Sequence, residues 1–249
     1  MIASVSHELR TPVATLRGYL ESTRTHWDGA PPPTLPQDLL TMERETLRLQ
    51  ALIDDLFTLA RAEVDRLEMR HEPVDIGMVA RRVVETMAPL AWQSNRVEVV
   101  AAIPAALPAA MADASRVEQV LLNLLRNGVR HTPPGGIVAV EASADETGAI
   151  LRVKDTGEGI APDDLPHIWE RFYRTRRSRE QDSAGTGLGL ALVKELAGAM
   201  SGSVAVESVL GEGSCFTVRL PLAALPAPQL EVAPDSQHVY TSLPVSLPS

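Results

Sequence analysis

Between residues 39 and 60 the apolar side chains advance in alternating steps of three and four: Leu39, Met42, Leu49, Ile53, Leu56 and Ala60, with polar Thr46 on the same line. Such a heptad seam is satisfied only by a long helix laid against other helices. A second amphipathic run, Ile2, Val5, Leu9, Val13, Leu16 and Leu20, precedes it, and the breaker stretch WDGAPPPTLP at 27–36 reads as the loop between them. Two helices so joined form a hairpin whose seam is wider than one partner covers. The spacing therefore predicts a four-helix bundle assembled from two chains, with a monomeric hairpin packed on the rest of the molecule as the alternative. Pro12 has no N–H to offer the Glu8 carbonyl, so a bend or a loosened turn is expected beside His7.

From Glu72 onward the texture changes to alternating strand and helix signals. Strands are expected at 97–102, 137–142, 149–154, 203–207 and 214–220, and helices at 116–125 and 190–200. That order suggests a mixed sheet covered by helices, so the chain reads as α+β: a helical hairpin followed by an α/β domain. Beyond Leu222 the sequence is rich in Pro, Ala and Ser without periodicity, and disorder is expected there. The helical pattern begins at the first residues with no capping sequence before it, which points to a preceding segment.

Composition removes several function classes. A formal charge of -9 argues against general affinity for nucleic acid or anionic membrane, despite the local cluster Arg174, Arg176, Arg177 and Arg179. The lone Cys215 forms no internal disulfide and rules out a cysteine-built zinc site, so a reducing compartment is the natural reading. No apolar run reaches the roughly 20 residues of a membrane helix, and no signal-peptide layout opens the chain.

Three segments of the second half carry chemistry. In NLLRNGVRHTPPGG, Asn123 and Asn127 stand four apart on one helix face, where their amide oxygens approach one cation or water. In DTGEGI, Asp155 leaves a strand into a turn marked by Gly157 and Gly159, presenting a carboxylate where backbone can come close to a ligand. In GTGLGL, Gly185, Gly187 and Gly189 run into a helix N-terminus, whose free N–H groups and dipole favour phosphate. Neither a G-x-G-x-x-G fingerprint nor a P-loop is present. An aspartic protease built on Asp155-Thr156-Gly157 would leave the other segments without a role.

The order HELRTP, NLLRN, DTGEGI, WERFYR and GTGLGL resembles that of the sensor histidine kinases of two-component signalling, over residues 1 to about 221. The resemblance implies a dimerising phosphotransfer hairpin at 1–70, an α/β-sandwich ATP-binding domain at 71–222 shared with gyrase-type ATPases and Hsp90, and a tail at 223–249. It makes His7 the phosphorylated histidine: a neutral imidazole has one ring nitrogen with a free lone pair. Glu8 would accept from the other ring N–H, and Thr11 would hold a water for dephosphorylating the partner response regulator. Asn123 and Asn127 would hold Mg²⁺ and the phosphates of ATP. Asp155 would accept from the adenine amino group, a role suited to a group that only accepts. Gly157, Gly159 and Ile160 would shape the base pocket, with Arg130 and His131 beside it. Phe172 and Arg174 match the F-Y-R segment, with Arg174 reaching the γ-phosphate. Gly185, Thr186, Gly187, Leu188, Gly189 and Leu190 would form the lid and helix turn, and Thr217 is expected at the same site. Implied partners are a second copy of the chain and a response regulator, with no nucleic acid and no membrane contact by these residues. The implied location is the cytoplasm, or the cytoplasmic face of an inner membrane if a sensor lies upstream.

Three departures from the family pattern stand out. Gly128 takes an alanine position, weakening the helix by about 1 kcal/mol. Arg130 replaces a lysine, and His131 takes an often aromatic position, so stacking on the base is in question there. His26, His71, His167 and His238 lie outside any motif and read as ordinary polar residues. The rival functions are a degenerate ATP-binding scaffold, although every catalytic motif is intact, and a Ser/Thr-directed kinase or simple ATPase, which gives HELRTP no purpose.

Overall fold

The computed structural model describes residues 2–27, 31–63, 69–175, 178 and 186–223. The tail expected beyond Leu222 lies, from residue 224, outside them. Helix α1 (Ile2–Thr25) continues through Pro12, which is buried, and packs against α2 (Leu35–Glu63). The polar member of the seam satisfies itself, since the Thr46 hydroxyl donates to the Met42 carbonyl at 2.8 Å. Much of the seam is open: Leu39 is 53% exposed and Ile53 38%, while Val13 and Leu20 of α1 are 50% and 60% exposed. Leu52 and Leu59, each one position before a seam residue, are the most buried residues of α2, at 2%. They point into the core shared with the second half of the chain, a stripe the heptad count passes over.

After the hairpin, β1 (Glu72–Val74) pairs antiparallel with β3 (Ala110–Ala112) in a two-stranded sheet. Between them lie α3 (Ile76–Asn95) and β2 (Glu98–Ala102). Asp75 caps α3 by accepting from the Met78 N–H at 2.9 Å, and the apolar positions 76, 79, 80, 83, 84, 87 and 91 form its buried stripe. Then follow α4 (Ala114–His131), β4 (Ile137–Asp145), β5 (Gly148–Asp155), α5 (Gly189–Ala199), β6 (Ser203–Val209) and β7 (Gly213–Leu220). The main sheet runs β2-β4-β5-β7-β6, with β2 parallel to β4 and the other pairs antiparallel, the expected mixed sheet.

Period-two alternation sets the layers. Val138 and Val140, Leu151 and Val153, and Phe216 and Val218 point inward against Leu121, Leu124 and Leu125 of α4 and Leu192 and Leu196 of α5. The opposite face carries the row Glu141, Arg152, Thr217 and Ala205 in register. Helix α4 is longer than expected because its caps lie further out. Asp113 accepts from Ser115 and Arg116, and the Thr132 hydroxyl closes the last turn on the Gly128 carbonyl at 2.7 Å. Gly128 has a packing reason: an added Cβ would stand 3.1 Å from Val138 Cγ1, so the missing methyl lets α4 approach β4. Among the described residues, no helix is long and apolar enough to cross a membrane.

Candidate nucleotide site

At the ends of α4 and β5, facing the start of α5, lies a cavity of about 410 Å³, the size of a small-molecule site. Asn123, Asn127, Arg130 and His131 of α4 line it, with Asp155, Gly159, Ile160, Arg174, Thr186, Gly187, Gly189 and Leu190. Four sequence segments spread over some seventy residues thus converge on one concavity.

Asp155 is its most deeply set acid, 4% exposed. Its Oδ1 accepts two backbone N–H groups, from Gly157 at 2.9 Å and from Ser214 at 3.2 Å. Among the described residues no hydrogen bond is seen on Oδ2, which leaves that oxygen for a ligand donor. Burial pushes the Asp155 carboxyl up; the Gly157 and Ser214 amides and His131 pull it back, while Glu158 adds to the rise. His131 is fixed by Glu158, Nδ1 to Oε1 at 2.7 Å, and the Glu158 N–H returns to the His131 carbonyl at 3.1 Å. The Gly211 N–H donates to the Glu158 carbonyl at 2.8 Å, pinning the β6–β7 turn against this wall. The Ile160 N–H donates to Ser208 Oγ at 2.8 Å, which in turn reaches the Gly213 carbonyl.

The amide of Asn123 is oriented by its own helix, with Nδ2 donating to the Gln119 carbonyl at 2.9 Å. Its Oδ1 lies where glycine leaves room at the start of α5, 3.0 Å from the place a Cβ on Gly189 would take. Gly187 has φ +70°, and its carbonyl accepts from the N–H of Phe172, itself at φ +64°. An added Cβ on Gly187 would fall 2.8 Å from Phe172 Cα, so this clamp requires glycine. Arg174 donates from Nη2 to the Ser178 carbonyl at 2.7 Å.

Not every expected residue lines the cavity. Gly157 and Leu188 lie behind its wall as backbone supports, and Phe172 as the clamp on Gly187. Thr217 is a correction: it pairs with Arg152 on the far face of the sheet, because it is offset by an odd number of residues from cavity-lining Ser214. Gly185 lies outside the described residues, as do the side chains of His7 and Glu8, whose backbone belongs to α1. Thr11 is exposed on that helix. His167 pairs with Glu170 at 2.7 Å on the surface, in keeping with an ordinary polar role.

Several lining residues were not read from the sequence. Ser214 and Glu158 sit beside recognised motifs, and the turn register could have found them. Arg44, Glu45, Ala51, Leu52 and Asp55 of α2 also line the cavity, and no motif marks them. Burial pushes the Asp55 carboxyl up to about 6; the Arg126 guanidinium works against this and Asp54 adds to it.

Two family models match the chain. Residues 1–64 match the His Kinase A (phospho-acceptor) domain, and residues 112–224 match the histidine kinase-, DNA gyrase B- and HSP90-like ATPase. Sensor histidine kinase RppB of Synechocystis is 35% identical over 224 residues, 90% of this chain and 49% of that protein. The phosphate regulon sensor protein PhoR of Pseudomonas aeruginosa is 37% identical over 219 residues, 87% and 48% of the two chains. The chain spans about half the length of these curated relatives. Among solved structures, full-length ShkA in complex with AMPPNP superposes with a TM-score of 0.67 at 33% identity, covering 91% of this chain and 46% of that one.

Proposed function

Because this chain belongs to the sensor histidine kinases of two-component signalling, we propose that it binds ATP in the α4–α5 cavity and moves the γ-phosphoryl group to His7. The observation that carries the reading is Asp155. A buried carboxylate with one oxygen committed to the Gly157 and Ser214 amides keeps its second oxygen as an acceptor for an amino donor, as adenine offers. Arg130 and Arg174, both on the cavity wall, suit the charge of the phosphates.

In the step itself, the lone pair of one neutral His7 ring nitrogen forms the N–P bond as the bond from the γ-phosphorus to the β,γ-bridging oxygen breaks, and the electron pair leaves on ADP. The proton on the other ring nitrogen passes to Glu8, giving a neutral phosphohistidine. The donor set also fits a hard divalent cation: the Asn123 amide is turned by Gln119 so that its carbonyl oxygen is the free end, and Asn127 lies one turn on. Asn123 and Asn127 would hold Mg²⁺, which when bound neutralises charge on the phosphates.

From His7 the phosphoryl group passes to an aspartate of a separate response regulator, and Thr11, exposed one turn from His7, is the residue to hold water for the reverse removal. The apolar residues left open on the hairpin, including Val13, Leu20, Leu39 and Phe57, support a four-helix bundle made by two copies. Residues 1–70 are then the dimerising unit and 71–222 the catalytic one, working on the cytoplasmic side where ATP is available. Incubation with γ-labelled ATP is expected to give an acid-labile, alkali-stable label that is lost in His7→Gln. Equal labelling of that variant refutes the reading.

A further inference from the structure

One residue at the end of α4 holds the wall of the cavity beside Asp155 twice. The His131 carbonyl accepts the Glu158 N–H at 3.1 Å, and its ring meets the Glu158 side chain, Nδ1 to Oε1 at 2.7 Å. Gly157 lets the turn come this close, since an added Cβ would fall onto the His131 carbonyl oxygen. The Gly157 N–H in turn donates to Asp155 Oδ1 at 2.9 Å. Two further bonds hold the other side of the turn, from the Gly211 N–H to the Glu158 carbonyl and from the Ile160 N–H to Ser208 Oγ, each at 2.8 Å. The backbone from Asp155 to Ile160 is therefore fixed by main-chain donors, which leaves the bond between the His131 ring and Glu158 with a different task.

That task is set by charge. Glu158 lines the cavity together with Asp155, in a site offered to a polyanion, where a carboxylate free to swing would repel phosphate. Because a carboxylate only accepts, Nδ1 carries the proton, and the bond fixes the imidazole tautomer together with the acid. A phenyl ring at 131 would offer no such donor. The two side chains are 25% and 20% exposed, which shields the bond from water. The pair His167–Glu170 has the same 2.7 Å distance, but it is 50% and 62% exposed and neither residue lines the cavity. We infer that His131 is a positioning residue for nucleotide binding: its ring holds the acid at 158 in place on the cavity wall, so that the histidine and the glutamate work only as a pair. The inference rests on the reading of the cavity as an ATP site.

The test is calorimetric titration of the full chain with ADP, beside a thermal melt. His131→Phe should weaken ADP binding at least tenfold in a chain that still melts cooperatively, and labelling kinetics should place the loss in KM for ATP. Adding Glu158→Ala removes the acid that has lost its holder and should bring ADP affinity back to within threefold of wild type, a rescue that a merely structural histidine would not show. His131→Phe that binds ADP within threefold of wild type, or a double variant as weak as the single one, overturns the proposal. Should His131→Phe fail to fold, His131→Asn decides the matter, because its side-chain amide donates where Nδ1 does. Binding within threefold of wild type supports the pair, and a tenfold loss in a folded His131→Asn chain overturns it. A wild-type chain that binds no ADP strikes the reading of the cavity itself and is thereby distinguished.

Discussion

Asp155 does two separable things, and one atom exchange should part them. In Asp155→Asn the side-chain carbonyl continues to accept the Gly157 and Ser214 N–H groups, now seen at 2.9 and 3.2 Å. The second oxygen becomes an NH₂ donor. On stability the sign follows from the raised carboxyl: a group that holds its proton more tightly when buried weakens the fold once pH passes its folded value. A neutral amide escapes that cost. It gives up some charge assistance in the two backbone bonds, about 1 kcal/mol at most in net terms. The variant is therefore expected within about 1 kcal/mol of wild type, a shift of about 2–4 °C or less in thermal midpoint for a chain of this size. Nucleotide binding loses a charge-assisted hydrogen bond, about 1.5–3 kcal/mol, and sets donor against donor, about 1–3 kcal/mol more. The sum of about 2.5–6 kcal/mol is a loss of about two to four decades in affinity. Calorimetric titration with ADP beside a thermal melt reads both quantities in one preparation. Binding within threefold of wild type, or a chain that no longer melts cooperatively, would refute the assignment of the two oxygens.

Gly187→Ala places a Cβ on a residue at φ +70° and against the Phe172 backbone; a left-handed alanine costs about 1–2 kcal/mol before any contact. ADP affinity should fall at least tenfold by titration, and an unchanged value removes the clamp from the site. The packing of α2 on α5 should respond to pH through Asp55, whose carboxyl burial lifts from 3.8 to about 6. Its contribution is complete below about pH 4 and is lost as pH rises through about 6. Hydrogen exchange along α2 should therefore quicken between pH 5 and 7, beyond the intrinsic base catalysis, and Asp55→Asn should flatten that excess. Arg126, Arg44 and Glu45 face the same cavity, as do Arg130, His131 and Glu158, so a dependence that persists in Asp55→Asn assigns it to one of them.

The five main strands were legible because alternation survives in short windows, and Val138, Val140 and Ala142 or Phe216, Val218 and Leu220 keep strict parity. Helix α3 was equally available, with Asp75 as its cap and a regular stripe from Ile76 to Ala91, but no chemistry drew attention to it. The nucleotide wall was legible where backbone chemistry dictates residue type, at Asp155, Gly159 and Gly187. Thr217 was misplaced by its resemblance alone: the alternation of Phe216, Val218 and Leu220 already sets it on the face opposite Ser214, where it pairs with Arg152. The α2 wall was hidden for a different reason. Leu52 and Leu59 look like shoulders of a heptad seam, and only the packing of α5 tells that they belong to a second face.

Asp113 joins two parts of the chain that have no motif in common. Its carboxylate caps α4 through Ser115 and Arg116 and also accepts the Arg70 N–H at 3.1 Å, where the segment leaving the hairpin arrives. Burial pushes that carboxyl up, but the bonds from Ser115, Arg70 and Arg116 outweigh it and hold it below its usual range. The β1–β3 pairing clamps the next residues to the same spot. Helix α4 is a rod of 18 residues, about 27 Å long, gripped at one end by the connector and carrying Asn123 and Asn127 further along. One carboxylate thus ties the start of the α/β half to the helix whose later turns carry Asn123 and Asn127 into the cavity wall.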